Sequence, residues 1–360
     1  MLGKSFQTSF FGESHGRCVG VLIEGCPPGI KVDLEELNKE LEKRRPGGSI
    51  YVSPRKEEDR VEILSGVFNE FTTGSPIVVI IYNKDVISFY YEKIKNTPRP
   101  SHADFVARIK YYGYNDYRGG GIFSGRITAP MVVAGYFAKK ILKRFDVEVY
   151  SYIKRIGKFE CNPSIEEIKK STYKSPTRFP DLSKVEEIEN YLKEIMREGD
   201  TIGGIVETIA LNLPIGLGEP PIDTLDGDLA KALFMIPAVK GVEFGAGFNF
   251  SVMKGSEAND PYIIKDGKVL TLTNNSGGIL GGISNGMPLI HRVVIKPASS
   301  IRKKQRTVDL EKMKETEIVV EGRHDPCIAI RAVPVVESVT SIIIADHLLR
   351  WLSWKELLEK

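Results

Sequence analysis

The chain has 360 residues, 42% of them hydrophobic, enough for a large core and more than the roughly 100–200 residues of an ordinary single domain. Its 50 basic and 47 acidic side chains nearly cancel, which excludes a molecule drawn as a whole to nucleic acid or to an anionic membrane. The opening MLGKSFQTSFFGESHG lacks an apolar core of signal-peptide length, and no later run reaches the roughly 18 apolar residues of a membrane span, so a cytoplasmic protein is expected.

Along the chain, Asp33-Leu-Glu-Glu36 predicts a capping box opening a helix with Leu34, Leu37 and Leu41 on one face. Lys43-Arg44-Arg45 ends that helix, and Pro46-Gly47-Gly48 stops it. Arg60 to Ser65 and Pro76 to Asn83 are short β-branched runs bounded by turn residues, hence strands, with TTGS (72–75) as a turn between them. From Thr128, TAPMVVAGYFAKKILKRF has helical spacing and almost no charge in its first half, which predicts a helix buried on most sides at the centre of the molecule.

Leu182 to Glu198 predicts an amphipathic helix with Val185, Ile188, Leu192 and Ile195 inward, stopped at Gly199. Thr201 to Leu211 reads as a strand, Gly227 to Met235 as a helix, and Val333 to Lys360 as a long helix, apolar first and polar at its end. The expected fold is one compact α+β unit over residues 1–360, a unit of two similar halves being allowed, rather than separable domains. Cys18, Cys26, Cys161 and Cys327 form no CxxC pair, so they are expected to be reduced packing thiols, with neither zinc nor disulfides.

Three of the five histidines lie in loops beside charges, prolines and small residues: His15 in GESHG, His102 in RPSHAD, His324 in GRHDP. Such settings raise the prior for chemistry over packing. His347, inside the last helix, and His291, which opens a strand-like run with no obvious chemical partner, are expected to be structural. GESHG is not a nucleophile elbow, since the GxSxG spacing is absent and a triad histidine normally comes from elsewhere in the chain.

Residues 116–128 place four glycines before a helix, where backbone amides can close on an anion, although the GxGxxG dinucleotide spacing is missing. Residues 274–286 form a second glycine-rich stretch, and Lys296-Pro-Ala-Ser-Ser300 offers a charge and two hydroxyl donors suited to a phosphate. Together these stretches predict a site for an anionic, phosphorylated ligand, built from Arg44, Arg45, Arg126, Lys296 and Arg323, with His15 and His102 as proton carriers and no metal. Asp325, followed by Pro326, also reads as the start of a turn. The residues alone do not choose the reaction.

The same stretches closely resemble the chorismate synthase family. The matching motifs are FGESHG, RRPG, EILSGVF, TTGSPI, RPSHAD, DYRGGG with SGR, GDTIGG, IPAVKGVEFGAGF, GGILGGISNG, IKPASSI and GRHDPCIAIRAVPVVE, in order over essentially the whole chain. The resemblance implies an α+β sandwich with helices at the centre and antiparallel sheets outside, assembled as a homotetramer. It implies a lyase that removes phosphate and a proton from 5-enolpyruvylshikimate 3-phosphate by an anti 1,4-elimination, giving chorismate at the last common step of aromatic amino acid biosynthesis. Reduced FMN is required without net redox change, and a separate flavin reductase or other reductant is expected to supply it.

Carried over residue by residue, the resemblance makes His15 the acid toward the departing phosphate, His102 the group that protonates or stabilises reduced flavin, and Asp325 a proton-relay partner. Flavin contacts fall on Ile122, Phe123 and Ser124, on Pro237 and Ala238, on Gly281, on Lys296, Pro297, Ala298, Ser299 and Ser300, and on Arg323. Arg44 falls where the family is assigned an NADP contact, or meets substrate anions, with Arg45 and Arg126 as companions. The chain departs from many relatives at Ile122, Phe123 and Ile127, which replace an arginine, a serine and a glutamate, and at Ile50, which replaces an arginine. Ser101 replaces a glycine, a change that a loop accepts if its φ is negative. Two rivals are a flavin-dependent oxidoreductase acting on a phosphorylated substrate, and an RNA-binding module using the basic run 302–306, which reads more simply as a solvated loop.

Overall fold

The computed structural model describes residues 1–45, 59–84, 88–321 and 325–358. Two antiparallel sheets enclose two central helices. In the first sheet the strand order is Gln7–Gly12, Cys18–Glu24, Ile77–Tyr82, Val61–Ser65. Alternate residues Val19, Val21, Ile23 and Ile77, Val79, Ile81 are buried, as the two-residue period of a one-sided sheet requires. The second sheet runs Val239–Phe244, Leu289–Ile295, Gly204–Leu211, Glu148–Ile156, Phe159–Glu160.

The helix Thr128–Leu142 packs on the first sheet, the helix Ala329–Leu358 packs on the second, and the two helices pack against each other. The nearly uncharged TAPMVVAGYFA stretch is buried from Thr128 through Ala138, which is the central position its composition predicts. The terminal helix begins four residues before the expected Val333 and carries Pro334 inside it. Proline has no N–H to give the preceding turn. Nearby Ser338 and Ser341 donate to the Pro334 and Glu337 carbonyls, each at 2.7 Å. By length and composition this helix matches a membrane span, but its most apolar window is 94% buried within the fold.

Asp33 caps its helix by accepting from the Glu35 and Glu36 amides at 2.8 and 3.1 Å. The second half of the expected capping box is not made, because Glu36 pairs instead with Lys140 of the central helix. Leu37 and Leu41 are buried, while Leu34 in the first turn is exposed. The amphipathic helix is a 3-10 turn, Leu182–Lys184, running into Val185–Arg197, and it ends at Gly199 with φ +70.

His291 does have a partner, contrary to the reading of its sequence surroundings: its Nε2 lies 2.9 Å from the Thr340 hydroxyl of the terminal helix. Burial, with a smaller contribution from Arg292, pushes its pKa down to about 3, so it joins sheet to helix as a neutral ring. Burial likewise pushes the Cys26, Cys161 and Cys327 thiols up to about 12, which suits packing rather than reactivity.

The two central helices approach most closely at Gly135. A Cβ there would stand 2.3 Å from Ser338 Cβ and 2.7 Å from its Cα. Alanine gains about 1 kcal/mol over glycine in helix propensity. Overpacking against fixed backbone costs roughly 1–3 kcal/mol. Gly135→Ala is therefore expected to lower the urea unfolding midpoint, despite placing a better helix former in a helix.

Candidate active site

Segments 99–103, 119–128, 234–240 and 295–300, together with the opening of the terminal helix, surround a cavity of about 700 Å³. That lies within the range of about 300–1,000 Å³ typical of small-molecule and cofactor sites. Among the described residues the lining holds six cations, Arg44, Arg99, Arg126, Lys240, Lys296 and Arg331, against one carboxylate, Asp325.

Arg44 and Arg126 reach the cavity from the first helix and from the turn before the central helix. Both are buried and share Asp59 behind them: Arg44 donates to Asp59 Oδ2 at 3.2 Å, and Arg126 pairs with Asp59 Oδ1. Arg44 also donates to the Thr128 hydroxyl and the Gly125 carbonyl, both at 2.9 Å, and Arg126 to Asn83 Oδ1 at 2.8 Å. Burial acts to raise the Asp59 carboxyl, but Arg44 and Arg126 outweigh it and hold it below the usual carboxylate range. The shared carboxylate ties the two guanidiniums together at the cavity wall.

Of the residues singled out by sequence, His102, Ile122 to Ser124, Pro237, Ala238, Lys296 to Ser300 and Asp325 all line the same cavity. Asp325 is buried and accepts from Arg331 at 2.9 Å. Lys296 Nζ meets neutral partners, the Ser101 carbonyl at 3.1 Å and the Ser299 hydroxyl at 3.5 Å. Burial first, and the neighbouring Lys240 charge second, hold its pKa below the ordinary lysine value.

His15 does not line the cavity and stands behind two residues that do. Its ring meets Tyr91 edge-on with centroids 5.1 Å apart, and its Nδ1 lies 2.9 Å from the Ser88 hydroxyl. Its other nitrogen faces Gly119, where a Cβ would stand 2.6 Å from Nε2. Gly119, with φ +61, thus lets the imidazole approach the wall.

Arg45 is not among the lining residues. It caps the helix one position beyond Arg44, about 100° further round the axis, and pairs with Glu42 at 3.9 Å. Gly281 also lies away from the cavity, at the apex of the hairpin Ile279–Leu280/Ile283–Ser284. The adjacent Gly282 carbonyl accepts from Leu225 at the start of the helix Leu225–Phe234, whose far end supplies Phe234 to the lining, a helix length of roughly 15 Å. Pro46, Gly47, Gly48, Ile50, Arg323 and His324 lie outside the described residues.

Ser101 departs from expectation in its backbone, which is left-handed at φ +56. Its carbonyl is fixed by the Lys296 and Ser299 donors at 3.1 and 3.4 Å. Ala238, on the opposite segment, has φ +73, and its carbonyl accepts from the Lys296 amide at 3.0 Å. Sequence reasoning missed Asp59, Arg99, Lys240 and Arg331 as site residues. Arg99, Lys240 and Arg331 stand inside the motifs RPSHAD, IPAVKG and AIRAVP, but nothing in a motif tells which of its charges faces a cavity.

A cavity walled by cations within an α+β fold suits a protein that binds anions. A family model described as chorismate synthase matches residues 6–349. The chorismate synthase of Thermococcus gammatolerans is 53% identical over 356 residues, 99% of either chain, and that of Pyrococcus abyssi is 55% identical over 358 residues, again 99% of either chain. A crystal structure of a chorismate synthase superposes with a TM-score of 0.77 at 30% identity, over 97% of this chain and 93% of that one. The chain belongs to the chorismate synthase family, and its activity is that of a lyase.

Two substitutions probe the site's scaffold. Asp59→Ala leaves two buried guanidiniums without their shared carboxylate and is expected to cost about 3–5 kcal/mol in thermal unfolding. Ser101→Gly removes a left-handed penalty of about 1–2 kcal/mol and adds back about 0.5–1 kcal/mol of chain entropy, so a small rise in unfolding midpoint is expected.

Proposed function

We propose that the cavity takes reduced FMN together with 5-enolpyruvylshikimate 3-phosphate and carries out the 1,4-elimination that gives chorismate and phosphate. The observation that carries this reading is that, among the described residues, six lining cations stand against one lining carboxylate. The substrate brings two carboxylates and a phosphate, and FMN a further phosphate, so polyanions of this class are what such a wall attracts.

Lys296, Ser299 and Ser300 suit the flavin phosphate, because the lysine's partners are neutral and its charge is available to an anion. Ile122, Phe123, Pro237 and Ala238 give an apolar wall for the flat ring system. Ile122 and Phe123 are 44% and 38% exposed, which leaves ring-sized faces open to a ligand. Arg44 and Arg126 hold substrate anions in this reading, rather than a pyridine nucleotide. Reduced FMN, when bound, supplies transient electron donation that helps expel phosphate.

His102 holds and moves a proton at its Nε2, and Asp325, tied to Arg331, assists that transfer. His15 acts as the acid toward the leaving phosphate, its Nε2 meeting the wall at Gly119 beside the Ser14 hydroxyl. The homotetramer belongs to the same reading: Gly281, which the family pattern assigns to flavin, sits outside this chain's own cavity and would meet the cavity of a neighbouring subunit. A separate reductase or other reductant supplies the flavin electrons, and the reaction runs in the cytoplasm.

Anaerobic turnover with dithionite-reduced FMN tests the reading, followed by chorismate absorbance and phosphate release, with oxidised FMN as control. Chorismate and phosphate in equal amounts, formed with reduced FMN alone and without net flavin oxidation, are expected. Flavin oxidised in step with product would favour the oxidoreductase instead. His102→Asn and His15→Asn are each expected to lower kcat by about 10²-fold or more, the usual contribution of a positioned acid or base.

A further inference from the structure

We propose that Asp104 is a positioning residue for His102, fixing which imidazole nitrogen faces the cavity; this rests on the reading of His102 given above. Asp104 opens the helix Asp104–Lys110 and does not line the cavity itself, so its effect passes through its neighbours. Its Oδ1 lies 2.6 Å from His102 Nδ1 and accepts from Arg99 Nη2 at 2.8 Å. Its Oδ2 accepts from Arg99 Nε at 2.7 Å and from the Arg99 backbone amide at 3.0 Å.

Both carboxylate oxygens are therefore engaged by an arginine that does not surrender its proton. Burial acts to raise the Asp104 carboxyl, yet the Arg99 and His102 contacts overcome it and keep it far below the ordinary range. An ionised carboxylate only accepts, so His102 Nδ1 must carry a hydrogen and donate it. The Arg99 Nη2 group, 3.2 Å from the same Nδ1, is itself a donor and cannot satisfy that hydrogen.

Nε2 is left as the working nitrogen, an acceptor in the neutral ring and a donor in the charged one. It faces Gly120, where a Cβ would stand 3.2 Å away, and φ +91 at Gly120 keeps that edge bare.

Asparagine at 104 would change this arrangement in a defined way. Its oxygen takes the Oδ2 position, where two Arg99 N–H groups point, because this sets its NH2 against Arg99 Nη2 alone, whereas the reverse orientation would set it against both of those groups. Its NH2 then faces His102 Nδ1, which must become an acceptor, and the proton moves to Nε2. The test is 15N NMR of protein labelled with [15N]histidine, the His102 signals being those absent in His102→Asn. In the parent protein above its titration, an Nδ1–H, bare-Nε2 pattern is expected; in Asp104→Asn the Nε2–H pattern; in Asp104→Glu the parental one.

In turnover with reduced FMN, Asp104→Asn is expected to lower kcat about tenfold or more with KM within about twofold, the signature of a mispositioned proton carrier. An Nε2–H pattern in the parent overturns the proposal without any variant having to fold. So does an unchanged pattern in Asp104→Asn, or an unchanged kcat there when His102→Asn is slow. Should His102→Asn turn over as fast as the parent, the reading of His102 falls, while the NMR still decides what Asp104 does to the ring.

Discussion

Holding six like charges around one cavity is the constraint on which the site depends. Each cation repels the others, and in a partly buried wall that repulsion is screened less than in water. The fold meets it with carboxylates placed beside the cations: Asp59 for Arg44 and Arg126, Asp104 for Arg99, and Asp325 for Arg331. Among the described residues these three carboxylates stand beside four of the six lining cations, and Lys240 and Lys296 have none of the three beside them. The sandwich makes this possible because the first helix, the 119–128 turns and the terminal helix bring remote segments together above the core.

Backbone conformation does the rest of the positioning. Gly119, Gly120 and Gly121 all have positive φ, and the first two lie against His15 and His102 respectively. A Cβ on either glycine would crowd the imidazole it faces, and one on Gly121 would stand 2.3 Å from the Asp116 carbonyl, so each of the three glycines has its own steric reason. Ser101 and Ala238 bear the same kind of backbone without being glycine, and both carbonyls are held by Lys296. The strain therefore sits at the two residues that fix the lysine, which is where over-determined surroundings tolerate it.

Much of this was legible in the sequence, and the exceptions have physical causes. Uninterrupted apolarity after Thr128 and a short β-branched apolar run at residues 76–83 revealed the central helix and a first-sheet strand, because length and turn residues at its ends tell a buried strand from a buried helix. The terminal helix begins four residues before the expected Val333, so Pro334, which sequence places most easily in a first turn, lies inside it. The family motifs revealed most cavity residues but misplaced Arg45 and Gly281 relative to this chain's own cavity. Adjacency in a motif does not fix direction: one step along a helix end turns a side chain about 100°. Asp59 escaped notice altogether, because a carboxylate in the charged run 55–60 looks solvated until two distant arginines are seen to share it.

The unequal compensation of the six cations bears on which anion goes where. Arg44 and Arg126 are held by bonds to Asp59, Thr128, Gly125 and Asn83, which sets the position of both guanidiniums at the wall. Lys296 has neutral partners, and burial first and the neighbouring Lys240 second lower its pKa. A phosphate dianion there would remove the repulsion and raise that pKa again, so occupancy and protonation of Lys296 reinforce each other. By linkage, phosphate binding at this end takes up protons wherever the free lysine has begun to lose its own. The two ends of the cavity thus differ in kind: one gains most from charge neutralisation, the other from geometry fixed in advance.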